Sequence, residues 1–347
     1  MEAAHKYLPA TQEGRRSLKQ LVVPLLVLLG LAIFPLISPS YIQSLAVEVL
    51  LFAIFGMSLD LLLGYAGLVS FGHAAFFGLG GYVLAYVARG VTANLLVTVP
   101  LVLIVTALGA AVIGFFALRT TGIYFLMLTL AFAQMLFGLA VKWTPVTGGS
   151  DGLAGVPRPY IGVGNLALRF GSNLQFYYLV ALAFVVCWWL LRRIVGSPFG
   201  YTLRGIKENE SRMRALGYNT WRFKMAVFIV AGVFAGVSGA LFAHFNWHAA
   251  PDNLYWTMSG QVLLMVIVGG SGTLTGPILG AALVRLLPSY ASTYTDRWQT
   301  IMGLVFIAFV LFAPEGIMGL IRGYLARRRE SNDLQIDGDQ GLVKREK

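Results

Sequence analysis

Polar side chains interrupt apolar sequence at a few places where they could do chemistry. Glu48 and Asp60 lie in the run 44–63, His73 follows Ser70 and Gly72, and Gln134 and Gln261 stand in later apolar runs. A charged group at membrane depth is costly and must face the bundle interior or an aqueous route. Glu48 and Asp60 are twelve residues apart, about 18 Å along a helix, too far to act as an acid–base pair. Asp60, near the end of its run, is expected at the interface, and Glu48, one turn inside, can take the same kind of position. His73 has two readings, a group lining a route or a packed, hydrogen-bonded histidine. Gln134 reads as a hydrogen bond between helices, and Gln261 as a route-lining candidate. No paired carboxylate, Ser/His or metal-ligand spacing appears, which argues against an enzyme and against a metal or cofactor. The single cysteine, Cys187, excludes an internal disulfide.

What remains is the chemistry of exposed backbone. Gly269-Gly270-Ser271-Gly272-Thr273-Leu274-Thr275-Gly276-Pro277 breaks membrane-grade sequence. Its flanks, 261–270 and 278–287, are each too short to cross a bilayer, which takes about 20 apolar residues. The glycines and the proline cannot continue an unbroken helix. Irregular backbone at membrane depth is tolerated only where protein buries it or where it lines a watery cavity. Interrupted segments of this kind point to a transport route. Gly269, Gly270, Ser271, Gly272, Thr273, Gly276 and Pro277, with Ser70, His73 and Gln261, are therefore the candidate translocation residues.

Composition agrees. Of 347 residues, 57% are hydrophobic and 12% charged, about half the charge of a soluble domain. The net charge of +11 could suggest nucleic acid, but most of the Lys and Arg fall in the N-terminal tail, at Arg119, in 192–224 and from Arg322 onward. Those are the segments the positive-inside rule assigns to the cytoplasm. The first apolar run is long and lacks a small-x-small cleavage site, so it reads as a helix rather than a leader.

Apolar runs predict an all-α polytopic protein, with helices at about 21–38, 44–63, 68–88, 94–118, 121–141, 175–191, 225–245 and 298–313, and the broken segment at 260–287. The basic tail stays inside only if 260–287 re-enters or crosses twice, giving eight to ten helices with both termini cytoplasmic. Residues 1–20 and 322–347 are then cytoplasmic tails around a 21–321 membrane domain. A second glycine-rich stretch, 64–81, hints at an internal repeat or at close helix packing of the kind expected for Gly232, Gly236 and Ala240.

The loop 192–224 is too long for a turn. Pro198 can begin a helix, Leu203–Leu216 has good helix formers, Gly217 can end it, and a second short helix can follow from Asn219. Such a knob reads either as a solvated basic loop or as a rigid handle that takes force from a partner. The chain has no GxxxxGK[ST], so any ATP must be bound elsewhere.

Taken in order, GYAGLVSFGHAAFFGLGGY (64–82), TGIYFLMLTLAFAQM (121–135), TGGSDGLAGVP (147–157), RGIKENESRMRALGYNTWRFK (204–224), GGSGTLTGPILGAA (269–282) and FAPEGIMGL (312–320) resemble the M-type permease subunit of bacterial branched-chain amino-acid ABC transporters. The resemblance runs from about residue 44 to 320. It implies a type II-like importer permease in the bacterial inner membrane, paired with a homologous second permease. It also implies two cytoplasmic ATP-binding subunits and a soluble substrate-binding protein. The 192–224 loop then looks like a coupling helix, with Arg204, Asn209, Glu210, Ala215, Leu216 and Gly217 at the family's matching places. Urea and short-amide importers have closely similar permeases and are the alternative. An ATP-independent carrier is the reading from another class, although ion coupling would want more intramembrane charges than Glu48 and Asp60. On the outer face, Arg158 between Pro157 and Pro159 is held at a defined position, where it can dock a carboxylate of the binding protein or simply be a solvated loop arginine.

Overall fold

A computed structural model describes residues 29–162, 168–294, 297–312, 315–321 and 323. The expected tail 1–20, residues 21–28 of the expected first span and all of the expected tail 322–347 except 323 lie outside the described residues. Helix α1 (29–37) leads into α2 (Ser40–Asp60), whose end widens into a π-helical turn, Leu61–Tyr65. Then come α3 (His73–Gly90), α4 (Leu95–Ala117), α5 (Ile123–Lys142) and the short α6 (Thr144–Thr147). Strands β1 (Leu153–Ala154), β2 (Tyr160–Ile161) and β3 (Leu168–Arg169) precede α7 (Asn173–Val195). Helices α8 (Pro198–Glu208) and α9 (Glu210–Ala215) form the loop, and α10 (Thr220–Asn246) returns through the bundle to β4 (His248–Ala249). Helices α11 (Trp256–Gly269), α12 (Gly276–Tyr294) and α13 (Trp298–Phe312) follow, and residues 316–321 are helical again.

Among the described residues, five helices are long and apolar enough to cross a membrane: Ser40–Tyr65, Leu95–Ala117, Ile123–Lys142, Asn173–Val195 and Thr220–Asn246. The central one is α2, buried at every residue from Leu50 to Asp60. It packs against α7, α10, α11 and α12. Its Phe52 and Phe55 join Phe77 and Phe242 in an aromatic core, with Phe55 and Phe77 centroids 4.6 Å apart. Helices α4 and α5 sit outside and expose Ile104, Leu108, Val112, Ile123 and Met127, as lipid-facing helices do.

Three expectations are corrected. The helix expected at 68–88 starts at His73, because 67–72 is irregular and Gly67 has φ +70°. The second short helix expected from Asn219 does not form separately: Asn219 accepts the Arg222 N–H and caps α10 itself. The segment expected at 278–287 extends over 19 residues as α12, about 28 Å. Helices α11 and α12 pack on each other, joined by the irregular turn at 270–275. Small residues explain the close packing elsewhere. Gly80 abuts the Gly236 backbone, a Cβ on Gly81 would lie 3.2 Å from the Gly239 carbonyl, and Gly232 faces Ala110 and Phe76. The packing reading thus accounts for Gly78, Gly80 and Gly81, whereas Gly64 has a different neighbour, described next.

Candidate functional site

The glycine-rich turn between α11 and α12 is held by the carboxylate at the end of α2. Gly270 and Gly272 have φ of +107° and +75°, and Leu274 has φ +56°. These left-handed residues aim backbone N–H groups inward, where they need acceptors. Asp60 supplies them: Oδ1 accepts from Gly272 N–H at 2.6 Å and Oδ2 from Leu274 N–H at 3.1 Å. Asp60, at the end of α2, has no solvent exposure and is enclosed by protein. A carboxylate that accepts two backbone N–H bonds can be buried at far less cost than a bare one. Thr273 completes the turn, donating to Gly270 O and accepting from Gly276 N–H, both at 2.8 Å. Gly64 lies against Gly272 so closely that any Cβ there would collide with Asp60 and the Gly272 backbone.

The candidate route residues do not all share one surface. Ser271 is exposed, Gly272 and Thr273 are half-buried, and Gly269, Gly270, Gly276 and Pro277 are buried in the turn's own packing. Gly272, Thr273, Leu274 and Thr275 line a cavity of about 620 Å³ together with Tyr65, Trp188, Arg192 and Arg204. Ser70 and His73 are fully buried. His73 Nε2 lies 2.7 Å from Ser58 Oγ and its ring stacks on Phe55. Because the Ser58 hydroxyl donates to Phe55 O, the histidine donates to Ser58, and this is the packed, hydrogen-bonded reading. Gln261 is exposed on α11. Gln134 does not bridge helices as expected: its buried amide nitrogen has no partner.

The loop is a two-helix knob, broken where the sequence suggested continuity. Asn209 leaves helical geometry and its side chain accepts the Arg212 N–H at 2.9 Å, ending α8 and capping α9. Helix α8 is anchored by buried Leu203 and Ile206, while α9 buries no residue. Glu210 fastens α9 instead. Oε1 accepts from Arg214 Nη2 at 2.6 Å and from Thr220 Oγ1 at 2.9 Å, and Oε2 from Lys224 Nζ at 2.5 Å. Burial alone would push this carboxyl up, but the Lys224, Arg214 and Thr220 hydrogen bonds and the Lys224 charge outweigh it and hold it at about 2. Ala215, Leu216 and Gly217 form an exposed tip, with Leu216 67% exposed, and Gly217 at φ +88° ends the knob. Arg204 lies over the Tyr65 ring at 5.1 Å.

Knob and turn meet. Lys207 Nζ of α8 donates to Gly64 O at 2.7 Å, and Gly64 is one π-turn from Asp60 and in contact with Gly272. Sequence reasoning missed Thr220 and Lys224, the bond of Lys207 to Gly64 O and the backbone partners of Asp60. The usable signal was an aspartate four residues before a glycine-rich stretch, in sequence too apolar to leave it unpaired.

At the far end of the bundle, β1 pairs with β4 and β2 with β3, so the two expected outer loops form one cap. Arg158 does not project freely from it. Its guanidinium lies 4.4 Å from the Phe176 ring centroid and 4.8 Å from that of Trp247, and Nη2 donates to Asn173 Oδ1 at 3.1 Å.

The family model for the permease component of the branched-chain amino acid transport system matches residues 41–313. The high-affinity branched-chain amino acid transport system permease protein LivM of Escherichia coli is 26% identical over 92% of this chain and 79% of its own length. Its Salmonella typhimurium counterpart is 26% identical over 81% and 71%. A guanosine ABC transporter permease of Bacillus subtilis is 26% identical over 37% of this chain and 41% of its own length. No solved structure matches the chain. With the match spanning most of the bundle, from α2 to the end of α13, the chain belongs to the branched-chain amino acid transport system permease family.

Proposed function

We propose that this permease translocates branched-chain or related amino acids by alternating access, driven by two cytoplasmic ATP-binding subunits that dock on the α8–α9 knob. A homologous second permease completes the route, and a soluble binding protein delivers cargo to the strand cap on the opposite face. Both termini then lie on the knob side, in the cytoplasm of a bacterial inner membrane. The observation that carries this reading is the knob itself, a rigid projection with an exposed apolar tip whose Lys207 is bonded to the backbone beside the Asp60-capped turn. A solvated basic loop needs no such bond into the bundle. The 269–277 turn, rather than an open channel lining, is on this reading the part that shifts when the knob moves. The substrate assignment leans on the named cargo of the relatives, which are themselves permeases of branched-chain amino-acid systems.

The test is Glu210→Arg and Gly217→Pro in the complete complex in proteoliposomes. Both variants insert and assemble with the second permease, and uptake of amino acid falls at least tenfold because ATP-binding subunits no longer move the knob. Normal uptake by both would reduce the knob to a topological basic segment. Thermal shift of the cognate binding protein with leucine, isoleucine, valine and urea names the cargo.

A further inference from the structure

Glu48 and Arg285 form an ion pair between α2 and α12, with Arg285 Nη2 2.5 Å from Glu48 Oε1. Glu48 stands eight residues after Ser40 and twelve before Asp60, about 12 Å from one end of α2 and 18 Å from the capped turn. Arg285 stands nine residues beyond Gly276, about 14 Å up α12 from that turn. The pair is therefore at mid-depth. Its side chains are nonetheless 20% (Arg285) and 28% (Glu48) exposed in this chain. Hydrocarbon is a poor neighbour for that surface, since intramembrane charges face a bundle interior or a water-filled cavity. The exposed side of the pair thus belongs to the route or to the seam with the second permease through which a route runs.

The pair also has unused capacity. Arg285 lies over the Phe52 ring at 3.7 Å, and its buried Nε has no partner. One edge of the guanidinium is thus not fully engaged by Glu48. Leu45, Ala46, Val49 and Leu50 of α2 and Leu286 and Ser289 of α12 line a largely apolar cavity of about 770 Å³, of which Glu48 and Arg285 themselves are not part.

We propose that Glu48 and Arg285 hold the zwitterion of the cargo during its passage: the α-carboxylate on the guanidinium of Arg285 and the α-ammonium on Glu48. The proposal rests on the reading that the cargo is an amino acid. A zwitterion inserted into an ion pair replaces one contact by two and brings no net charge into the membrane. In its absence the two residues satisfy each other, so no bare charge is left when the route is empty. A pair serving only to join α2 and α12 would be replaceable by apolar side chains of similar volume without loss, and this separates the two roles.

Two measurements test it, both in the complete complex reconstituted with its binding protein. If the wild-type complex takes up no amino acid, the functional reading fails before any variant is made. Given uptake, Glu48→Met/Arg285→Met purifies as an intact complex with an unchanged or raised thermal midpoint, and uptake falls at least tenfold. Uptake at the wild-type rate in that variant overturns the proposal. The second measurement leaves the pair in place. Ser289→Cys, one turn beyond Arg285, is labelled by a charged methanethiosulfonate in the liposomes, and loaded binding protein with cargo and ATP slows labelling at least threefold. Buried Cys187 supplies the background. No labelling, or labelling at the same rate with and without cargo, also overturns it, and this result decides alone if the double variant does not assemble.

Discussion

At the end of the bundle that carries the strands, segments distant in sequence are tied together repeatedly, while at the opposite end a single carboxylate fastens α9. In the cap, Leu153 pairs with Ala249 and Tyr160 with Arg169. His244 Nδ1 lies 2.7 Å from Pro157 O, His248 Nε2 lies 2.8 Å from Asp151 O, and Arg158 is wedged between two aromatic rings. In the knob, α9 buries nothing and depends on Glu210. Many weak attachments make a fixed surface, suited to receiving a soluble partner. Few, strong, local attachments make α9 a body that can move as a unit, while α8 beside it is tied to the interior by buried Leu203 and Ile206 and by the Lys207 bond to Gly64 O. Elements that move in switching are drawn from parts with few buried apolar contacts.

The largest expected effect is at the joint beneath the knob. Gly64→Val places a side chain inside Asp60 and Gly272, so the turn cannot seat and the protein is lost, a destabilisation above about 4 kcal/mol. Membrane yield and size-exclusion profile measure it. A normal yield would mean that α2 and the turn separate easily, and the contrast between a tethered knob and a fixed cap would lose its basis.

A smaller effect follows from Glu210. Its carboxyl is held below its ordinary value in the folded protein, so its tether is complete above the ordinary carboxylate range and is lost as pH falls toward about 2. Hydrogen exchange in α9, corrected for intrinsic rates, is accordingly unchanged between neutral and mildly acidic pH and rises below the ordinary carboxylate range. Exchange in β1 and β4, which no such carboxylate holds, does not follow it. Parallel behaviour of the two ends would erase the contrast.

The smallest effect is in the cap. Arg158→Lys keeps the charge and gives up the planar contact with Phe176 and Trp247. It costs about 1 kcal/mol of stability, the usual scale of a cation–π contact, read as a slightly lowered thermal midpoint, with uptake within twofold of wild type. A tenfold loss of uptake would restore Arg158 as a docking residue for the binding protein.

The spans were legible because the bilayer forces long apolar runs, and among the described residues each expected run has a helix over most of its length. The joint was not, because its partners are far apart and partly backbone. Asp60 bonds N–H groups 212 and 214 positions away, and Lys207 a carbonyl 143 away. Neither kind of partner leaves a side-chain signature. Asn209 was readable in principle, since asparagine is a strong N-cap, but the good helix formers on both sides masked it. The prolines beside Arg158 pointed to a held guanidinium but not to the rings that enclose it, because these come from α7 and the end of α10. Glu48 was read alone because Arg285 lies across the glycine break.

Lys207→Met tests most directly whether the knob works through the joint. Methionine keeps an aliphatic stem that can pack beside Gly67 and removes only the bond to Gly64 O. In proteoliposomes with binding protein and ATP-binding subunits, the ratio of amino acid taken up to ATP hydrolysed is measured for the variant and the wild type. The linkage predicts that hydrolysis continues while the ratio falls about tenfold, the scale of one lost charge-assisted hydrogen bond. A wild-type ratio would contradict it, leaving the knob to act on the bundle by some other contact.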